Sequence, residues 1–478
     1  MKYRQTLLAA SLSILLGGCS LLQPLVGPDY RLPELRLPQA WLRAEPAAMA
    51  APAVDPATWW RQLNDPQLDG LVTAALQSSL DLRAAQARLR QARASRSQAV
   101  AGLAPSVGVS GGASRSKSAS EIAPNATVNT LYQAGFDASW ELDLFGGTRR
   151  GIEAANADLA ASQASLDNTR VSLVAEVARN YVELRGYQQR LAIARANLAS
   201  QAETLQITQW RNEAGLASSL DVEQARTTRE QTRASIPDLQ NGLVAAENRL
   251  AILLGRQPGA LQAELAATKP LPEAPDSVAA GIPADVLRQR PDLVAAERTL
   301  AAETARVGQK VAARFPSLTL SGSFGWQAYG LSALGGSGTL ARSLAGSLAA
   351  TLFDGGRLRA QVEIQNAVQE QALISYESAV LTALEEIENS LYAYAQARER
   401  VSARRAAAEA AKNAALLARS QYESGLADFQ KVLETERTRL IAEDNLASAE
   451  TTVLTSLITL YKALGGGWQQ PAAGEGKA

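Results

Sequence analysis

Of the residue types that carry most protein chemistry, this 478-residue sequence has no histidine and a single cysteine. Without imidazole there is no Ser-His-Asp triad, no histidine general base and no imidazole metal ligand. One cysteine excludes intrachain disulfides and paired-cysteine metal or redox sites. The acids that gather in one stretch, Asp137, Glu141 and Asp143, lack the partner spacing of a glycosidase pair. No nucleophile motif or phosphate loop is present, so the sequence reads as non-enzymatic and without a cofactor. Lys+Arg 47 against Asp+Glu 47 leaves no basic excess for a nucleic-acid partner. What remains is one covalent modification.

That modification falls on Cys19. Lys2 and Arg4 form a short basic region, Leu7 to Leu16 an apolar one, and Leu16-Gly17-Gly18-Cys19 follows as a bacterial lipobox. Residues 1–18 are then a signal peptide, and Cys19 carries the lipid; the other reading is a plain signal peptide with a chance cysteine. Each buried CH2 of an acyl chain contributes about 0.8 kcal/mol, so two or three chains hold the protein firmly to a membrane. Pro24, Pro28, Pro33, Pro38, Pro46, Pro52 and Pro56 make residues 19–58 an extended arm, since proline continues neither helix nor central strand.

The elements beyond the arm occur twice, at an offset of about 210 residues. Pro105-Ser106-Val107-Gly108-Val109-Ser110-Gly111 answers Pro316-Ser317-Leu318-Thr319-Leu320-Ser321-Gly322, Leu144-Phe145-Gly146-Gly147 answers Leu352-Phe353-Asp354-Gly355-Gly356, and Gly215-Leu216-Ala217 answers Gly425-Leu426-Ala427. Each half reads as a helix, two strands, a very long helix, a tight turn and a returning helix. The first repeat covers 59–255, with a hairpin at 103–142, a long helix at 148–212 and a return at 218–254. A Pro-rich linker at 256–290 leads to the second, 291–464, with a hairpin at 316–352 and helices at 357–420 and 428–464. The helices before the strands are expected at Gln77–Ala101 and Pro291–Arg314. A flexible tail is expected over 465–478. The long helices are rich in Ala, Leu, Gln, Glu and Arg and contain no proline; at about 1.5 Å per residue they reach roughly 95–100 Å. Their alanine-rich faces suit a curved palisade of closely approaching helices. Pro237 is expected to kink the first returning helix.

The strands alternate. Tyr132, Ala134, Phe136, Ala138, Trp140 and Leu142 interleave with Gln133, Gly135, Asp137, Ser139 and Glu141. Leu318, Leu320, Phe324 and Trp326 interleave with serines and Thr319, and over 342–352 Leu344, Leu348 and Leu352 oppose Ser343, Ser347 and Thr351. Ten-residue strands, apolar on one face and carrying aromatics, are the pattern of outer-membrane barrels. A soluble half-buried sheet alternates as well; the lipobox and the helix lengths favour the membrane. Trp140 and Trp326 read as membrane-interface anchors. Four strands cannot close a barrel, and an open edge cannot sit in lipid, so the chain must oligomerise, as two copies with eight strands or three with twelve. The hairpin loops, about 114–130 and 328–341, would face outside the cell.

In these features the chain resembles the TolC-type outer-membrane efflux factors, in their lipoprotein (NodT-like) branch. The matching residues are Gly27-Pro28-Asp29-Tyr30, Trp59-Trp60 with Asp65-Pro66, Ile282-Pro283 with Arg290-Pro291-Asp292-Leu293, Phe315-Pro316-Ser317, and Leu352-Phe353-Asp354-Gly355-Gly356. Ser20 after the cysteine, as in other bacterial lipoproteins, favours export to the outer membrane. The resemblance implies a mainly α fold with a transmembrane β-barrel: a homotrimer sharing twelve strands and a periplasmic tunnel of twelve helices. It implies a passive exit duct, for drugs or small solutes, that docks through a periplasmic adaptor protein onto an inner-membrane RND transporter. A protein-secretion duct and a non-channel envelope lipoprotein are the alternatives. It makes the turns at Gly215, Leu216 and Ser218 and at Gly425, Leu426 and Asp428 the adaptor-docking tips. It also places a ring of Glu434 at the periplasmic gate, nine positions beyond the second tip glycine. There the sequence departs from the family, with Gln430 where an apolar gate residue is common and Lys431 where some members have a second acid. Glu434 has Lys431 and Arg437 within one helical turn, and an ordinary solvated charge fits it as well as a gate does.

Overall fold

The computed structural model describes residues 25–35, 37–42, 56–119, 121, 127–275, 278 and 283–468. Cys19, the signal segment and residues 469–478 lie outside them, as does Ile282. After a 3-10 segment at Pro56–Leu63, helices α1 (Pro66–Ser78) and α2 (Leu80–Ala101) lead to strands β1 (Ser106–Ser116) and β2 (Asn129–Leu142). The long helix α3 (Gly147–Glu213) turns back into α4 (Ser219–Leu253), followed by short helices α5 (Gln262–Leu265) and α6 (Pro283–Gln289). Then come α7 (Pro291–Ala312), β3 (Ser317–Ala328), β4 (Leu340–Ala349), the long α8 (Arg357–Glu423) and α9 (Phe429–Ala463).

The halves match in length: α3 and α8 have 67 residues each, α4 and α9 have 35, and α2 and α7 have 22. Three details depart from expectation. The helix expected at Gln77–Ala101 is broken at Ser79, where an extended ψ of 132° ends α1. Pro237, where a kink is expected, lies inside α4, which runs from Ser219 to Leu253. Strand β4 ends at Ala349, so Thr351 and Leu352 fall beyond it, and the strands of both hairpins reach further into their loops than expected. Finally, Gly465, Gly466 and Gly467 do not begin a loose tail but are buried. The Gly467 N–H donates to the Pro56 carbonyl at 2.7 Å, and a Cβ on Gly466 would lie 2.9 Å from the Trp59 ring. A backbone without side chains fills a slot that no other residue fits.

The chain divides into two compact units. One combines Met1–Glu34, Arg88–Gln163 and Ala295–Glu377 and contains the whole sheet. The sheet is four-stranded and antiparallel in the order β1-β2-β3-β4, so the two hairpins join through β2 and β3 while β1 and β4 are free edges. The N-terminal arm is held in this unit by Arg150, which is almost completely buried. Its guanidinium donates to the Val26 and Gly27 carbonyls at 3.2 and 3.3 Å and to Asp29 and Glu153, each at 2.7 Å. A buried cation with four oxygen partners is satisfied, whereas loss of any one leaves it costly. Tyr30 adds a 2.6 Å hydrogen bond to Glu297. Gly27 has φ of +90°, and a Cβ there would approach the Gly308 Cα to 2.4 Å.

The other unit combines Leu35–Ala87, Ala164–Val294 and Ser378–Ala478. Trp59 stacks on Tyr461 with ring centroids 4.9 Å apart, and Leu63, Leu68, Leu71, Leu184, Leu250, Leu254 and Leu261 of this unit are likewise buried. Burying a side chain of that size contributes about 1.5–3 kcal/mol. Arg185, fully buried, donates to Gln67 and the Ala267 carbonyl, both at 2.7 Å, and ties the linker to α3.

The arm lock yields a first prediction. Gly27→Ala combines a strained φ with a clash against backbone and should destabilise the lock by about 1–3 kcal/mol. Limited proteolysis should cut residues 25–35 faster than in the parent, while the far-UV circular dichroism stays unchanged.

Candidate functional site: a membrane sheet and two helical tips

The turn between α3 and α4 is built by local chemistry. Gly215 takes φ +73°, the left-handed conformation that ends a helix at least cost in glycine. The Leu216 N–H then closes back on the Arg211 carbonyl at 2.7 Å. Ser218 caps α4 in a reciprocal box with Asp221. The second turn repeats this, with Gly425 at φ +74°, the Leu426 N–H on the Gln421 carbonyl at 2.8 Å, and Asp428 accepting from the Lys431 N–H at 2.9 Å. Leu216 and Leu426 project into solvent, 70% and 81% exposed. Each turn thus holds one apolar side chain out in solvent.

Around the second turn the expected gate residues come together. Lys431 Nζ lies 3.1 Å from Glu434 Oε2, with both side chains more than half exposed. Gln430 donates from its amide to Gln224 of α4. Of the two partners within a turn, Glu434 takes Lys431.

Sequence reasoning missed the residue two positions further on. Glu436 is buried, accepts from Thr204 Oγ1 at 2.9 Å, and keeps its second oxygen without a partner among the described residues. Burial pushes its carboxyl above the usual glutamate range; Thr204, Arg419 and Arg439 pull the other way, and Glu203 adds to the rise. The pair belongs to a polar seam between α3 and α9. Arg190 meets Asp444 at 2.7 Å, Gln189 meets Glu450 at 3.2 Å, and Asn197 meets Glu443 at 3.0 Å. The signal was present as a spacing of seven, in Arg190, Asn197 and Thr204 on one helix and Glu436, Glu443 and Glu450 on the other. Below the seam, Leu205, Tyr422, Phe429, Val432 and Leu433 form an apolar cluster with Ala225.

The sheet sorts its residues by face. Val109 pairs with Phe136, Phe136 with Phe324, and Ala134 with Trp326, so apolar residues line up across strands. Val107, Val109, Leu340, Leu344 and Leu348 on this face are exposed, as a lipid-facing surface requires. Asp137 and Glu141 share the other face with Ser323 and Thr319 as cross-strand neighbours. Trp140 donates to the Leu103 carbonyl at 2.9 Å at the end near the helices, and Trp326 lies towards the opposite, loop end. Asp143 caps α3, accepting from the Thr148 and Arg149 N–H groups at 3.1 and 2.9 Å, which gives it a structural role.

The profile of a family described as "Outer membrane efflux protein" matches the chain twice, over residues 71–256 and 282–466. The chain belongs to that family. It is 33% identical to nodulation protein T of Rhizobium leguminosarum bv. trifolii over 96% of its own length and 97% of that protein's. It is 32% identical to outer membrane protein OprJ of Pseudomonas aeruginosa, covering 97% and 96% of the two. Among solved structures, the outer-membrane channel OprN superimposes with a TM-score of 0.87 at 39% identity, over 93% of this chain and all of that one. The protein is therefore a TolC-like outer-membrane efflux channel of the NodT-like branch, with its sheet in the membrane and its helical tunnel in the periplasm. The double match of the family profile also agrees with the internal duplication.

Two predictions follow from this geometry. Ser218→Ala and Asp428→Ala each remove a cap worth about 1 kcal/mol, and hydrogen exchange should quicken roughly fivefold at the first amides of α4 and α9 respectively. For Glu436, a raised folded-state pKa makes the neutral form the stabilising one. Its contribution to the seam is complete below the ordinary glutamate value of 4.5 and is lost as pH rises through the raised value. The Glu436→Gln variant should keep the low-pH seam at all pH values, read as pH-independent protection of the amides around Thr204 after correction for intrinsic exchange.

Proposed function

We propose that three copies of this chain close a twelve-stranded barrel and form a passive exit duct for drugs or other small solutes, with no enzymatic activity of its own. The observation that carries the assembly is the pair of free sheet edges, β1 and β4, on a sheet whose exposed face is apolar. Unpaired backbone groups in hydrocarbon cost several kcal/mol each, so these edges must meet other copies. Cys19 anchors the arm in the outer membrane through its acyl chains, which are the only non-protein group in this reading.

The mechanism is electrostatic and mechanical. The duct supplies a water-filled path, and the energy comes from an inner-membrane RND transporter joined through a periplasmic adaptor. Gly215, Leu216 and Ser218, with Gly425, Leu426 and Asp428, form the adaptor seat, supported by the exposure of the two leucines. Glu434 on three copies forms an acidic ring that focuses a negative potential on the entrance. The bridge from Lys431 softens that ring, and Gln430, tied to Gln224, takes the place of an apolar plug.

Planar-bilayer recording tests this. Purified lipidated protein should have the mass of three chains and conduct. Glu434→Ala should raise single-channel conductance and lower cation preference. A trimer whose conductance and selectivity are unmoved by Glu434→Ala would remove the gate assignment, and a non-conducting monomer would remove the duct.

A further inference from the structure

The lipid-facing side of the sheet carries two charges, both arginines and both at the same end. Odd-numbered residues of β1 and even-numbered residues of β2, β3 and β4 share that side, because Val109, Phe136, Phe324 and Arg342 are successive partners across the ladder. From Val107 to Arg115, Thr130 to Leu142, Leu318 to Ala328 and Leu340 to Leu348, every residue on this face is uncharged except Arg115 and Arg342. Arg115 is the second residue from the loop end of β1, and Arg342 is the third residue of β4 after its loop. The helices leave from the opposite end of the strands. In a channel with periplasmic helices, both arginines therefore lie at the outer leaflet. Both are exposed, and neither forms an ion pair or hydrogen bond among the described residues.

Their strands are the two free edges. This inference rests on the trimer reading, in which β4 of one copy runs antiparallel to β1 of the next. Side chains alternate, so only every second register keeps apolar residues on one side. Of those, the two that retain the longest ladder set Arg342 opposite Ala113 or opposite Arg115 itself. Directly opposed residues on a sheet have Cβ atoms about 4.5–5.5 Å apart and diagonal ones about 7–8 Å, both within reach of a guanidinium. Two cations so close, on a surface facing lipid, repel each other and lack a carboxylate to relieve them. A phosphate accepts from two guanidiniums at once in paired hydrogen bonds and offsets both charges. Aromatic residues frame the place, since Tyr132 is the partner of Ala113, and Trp326 the partner of Leu340. Amphipathic rings of that kind sit at headgroup level.

We propose that each boundary between copies holds the phosphate of an outer-leaflet glycolipid, the lipid A part of lipopolysaccharide, between Arg342 of one copy and Arg115 of the next. Three such sites surround the barrel. Each bridges two copies, so the bound lipid fastens the edges that close the sheet. A lone chain has only half of each site.

Native mass spectrometry of the full-length lipidated protein in detergent tests this. The probes are bis-phosphorylated lipid A, its dephosphorylated form, phosphatidylethanolamine and inorganic phosphate. The parent trimer should retain up to three molecules of bis-phosphorylated lipid A. The double variant Arg115→Gln/Arg342→Gln should bind it about tenfold or more weakly while remaining trimeric. Lysine at both positions should restore part of the binding, which guards against a folding defect. The dephosphorylated form should bind no better than phosphatidylethanolamine, and millimolar inorganic phosphate should not displace the glycolipid. Equal retention by parent and double variant, equal binding of the two lipid A forms, or displacement by inorganic phosphate would each overturn the proposal. Absence of a trimer in the parent would instead overturn the assembly on which it rests.

Discussion

A backbone N–H or C=O left facing hydrocarbon has no water to bond, and the rest of this structure depends on how the chain meets that constraint. Its sheet has four strands and pairs internally through β2 and β3, which leaves β1 and β4 with open edges. A single chain therefore cannot be the membrane-embedded unit. Closing on further copies converts the polar side of the sheet into a wet lumen and the apolar side into a lipid contact. That explains why Asp137 and Glu141 share one face while Phe136 and Phe324 share the other. A charge on the outer side is tolerable only near the ends of the strands, where headgroups and water begin. Arg115 and Arg342 are found there.

The helices answer a different demand, since they must pack at length without a globular core. α3 and α9 meet through a ladder of polar partners, from Gln189–Glu450 and Arg190–Asp444 to Thr204–Glu436. Polar pairs along a partly buried helix seam contribute little net stability, but a shift along the helix would leave them unpaired, so they set register. The corresponding positions of the second long helix, Arg400, Ala407 and Ala414, are exposed in the single chain and carry no such ladder. The duplication therefore produced two similar frames with different residues at these positions, and Gln430, Lys431 and Glu434 stand beside the Thr204–Glu436 end of the polar seam.

Much of this was legible in the order of residues. The repeat, the long helices, the caps at Ser218 and Asp428, the tip glycines and the alternation of the strands are local patterns, and local patterns are set by backbone sterics and side-chain periodicity. The misses share a cause. The break at Ser79 sits where Ser78 bonds the Leu254 carbonyl, 176 residues away. The glycines after Leu464 read as a loose end, yet they pack against Trp59 at the other end of the chain. Arg150 gave no sign that it would hold the arm at Gly27 and Asp29.

By itself, then, the sequence determined which segments are helix or strand, which face of each strand is apolar, and that four strands require partners. Each follows from interactions within about a helical turn or between neighbouring residues. Only the tertiary structure decided which oxygen Arg150 and Glu436 would meet, which glycines would be crowded, and that the two lipid-facing arginines lie on the two unpaired edges. Those outcomes depend on contacts between residues far apart in the chain, and a few degrees of rotation or one step of register would change every one of them.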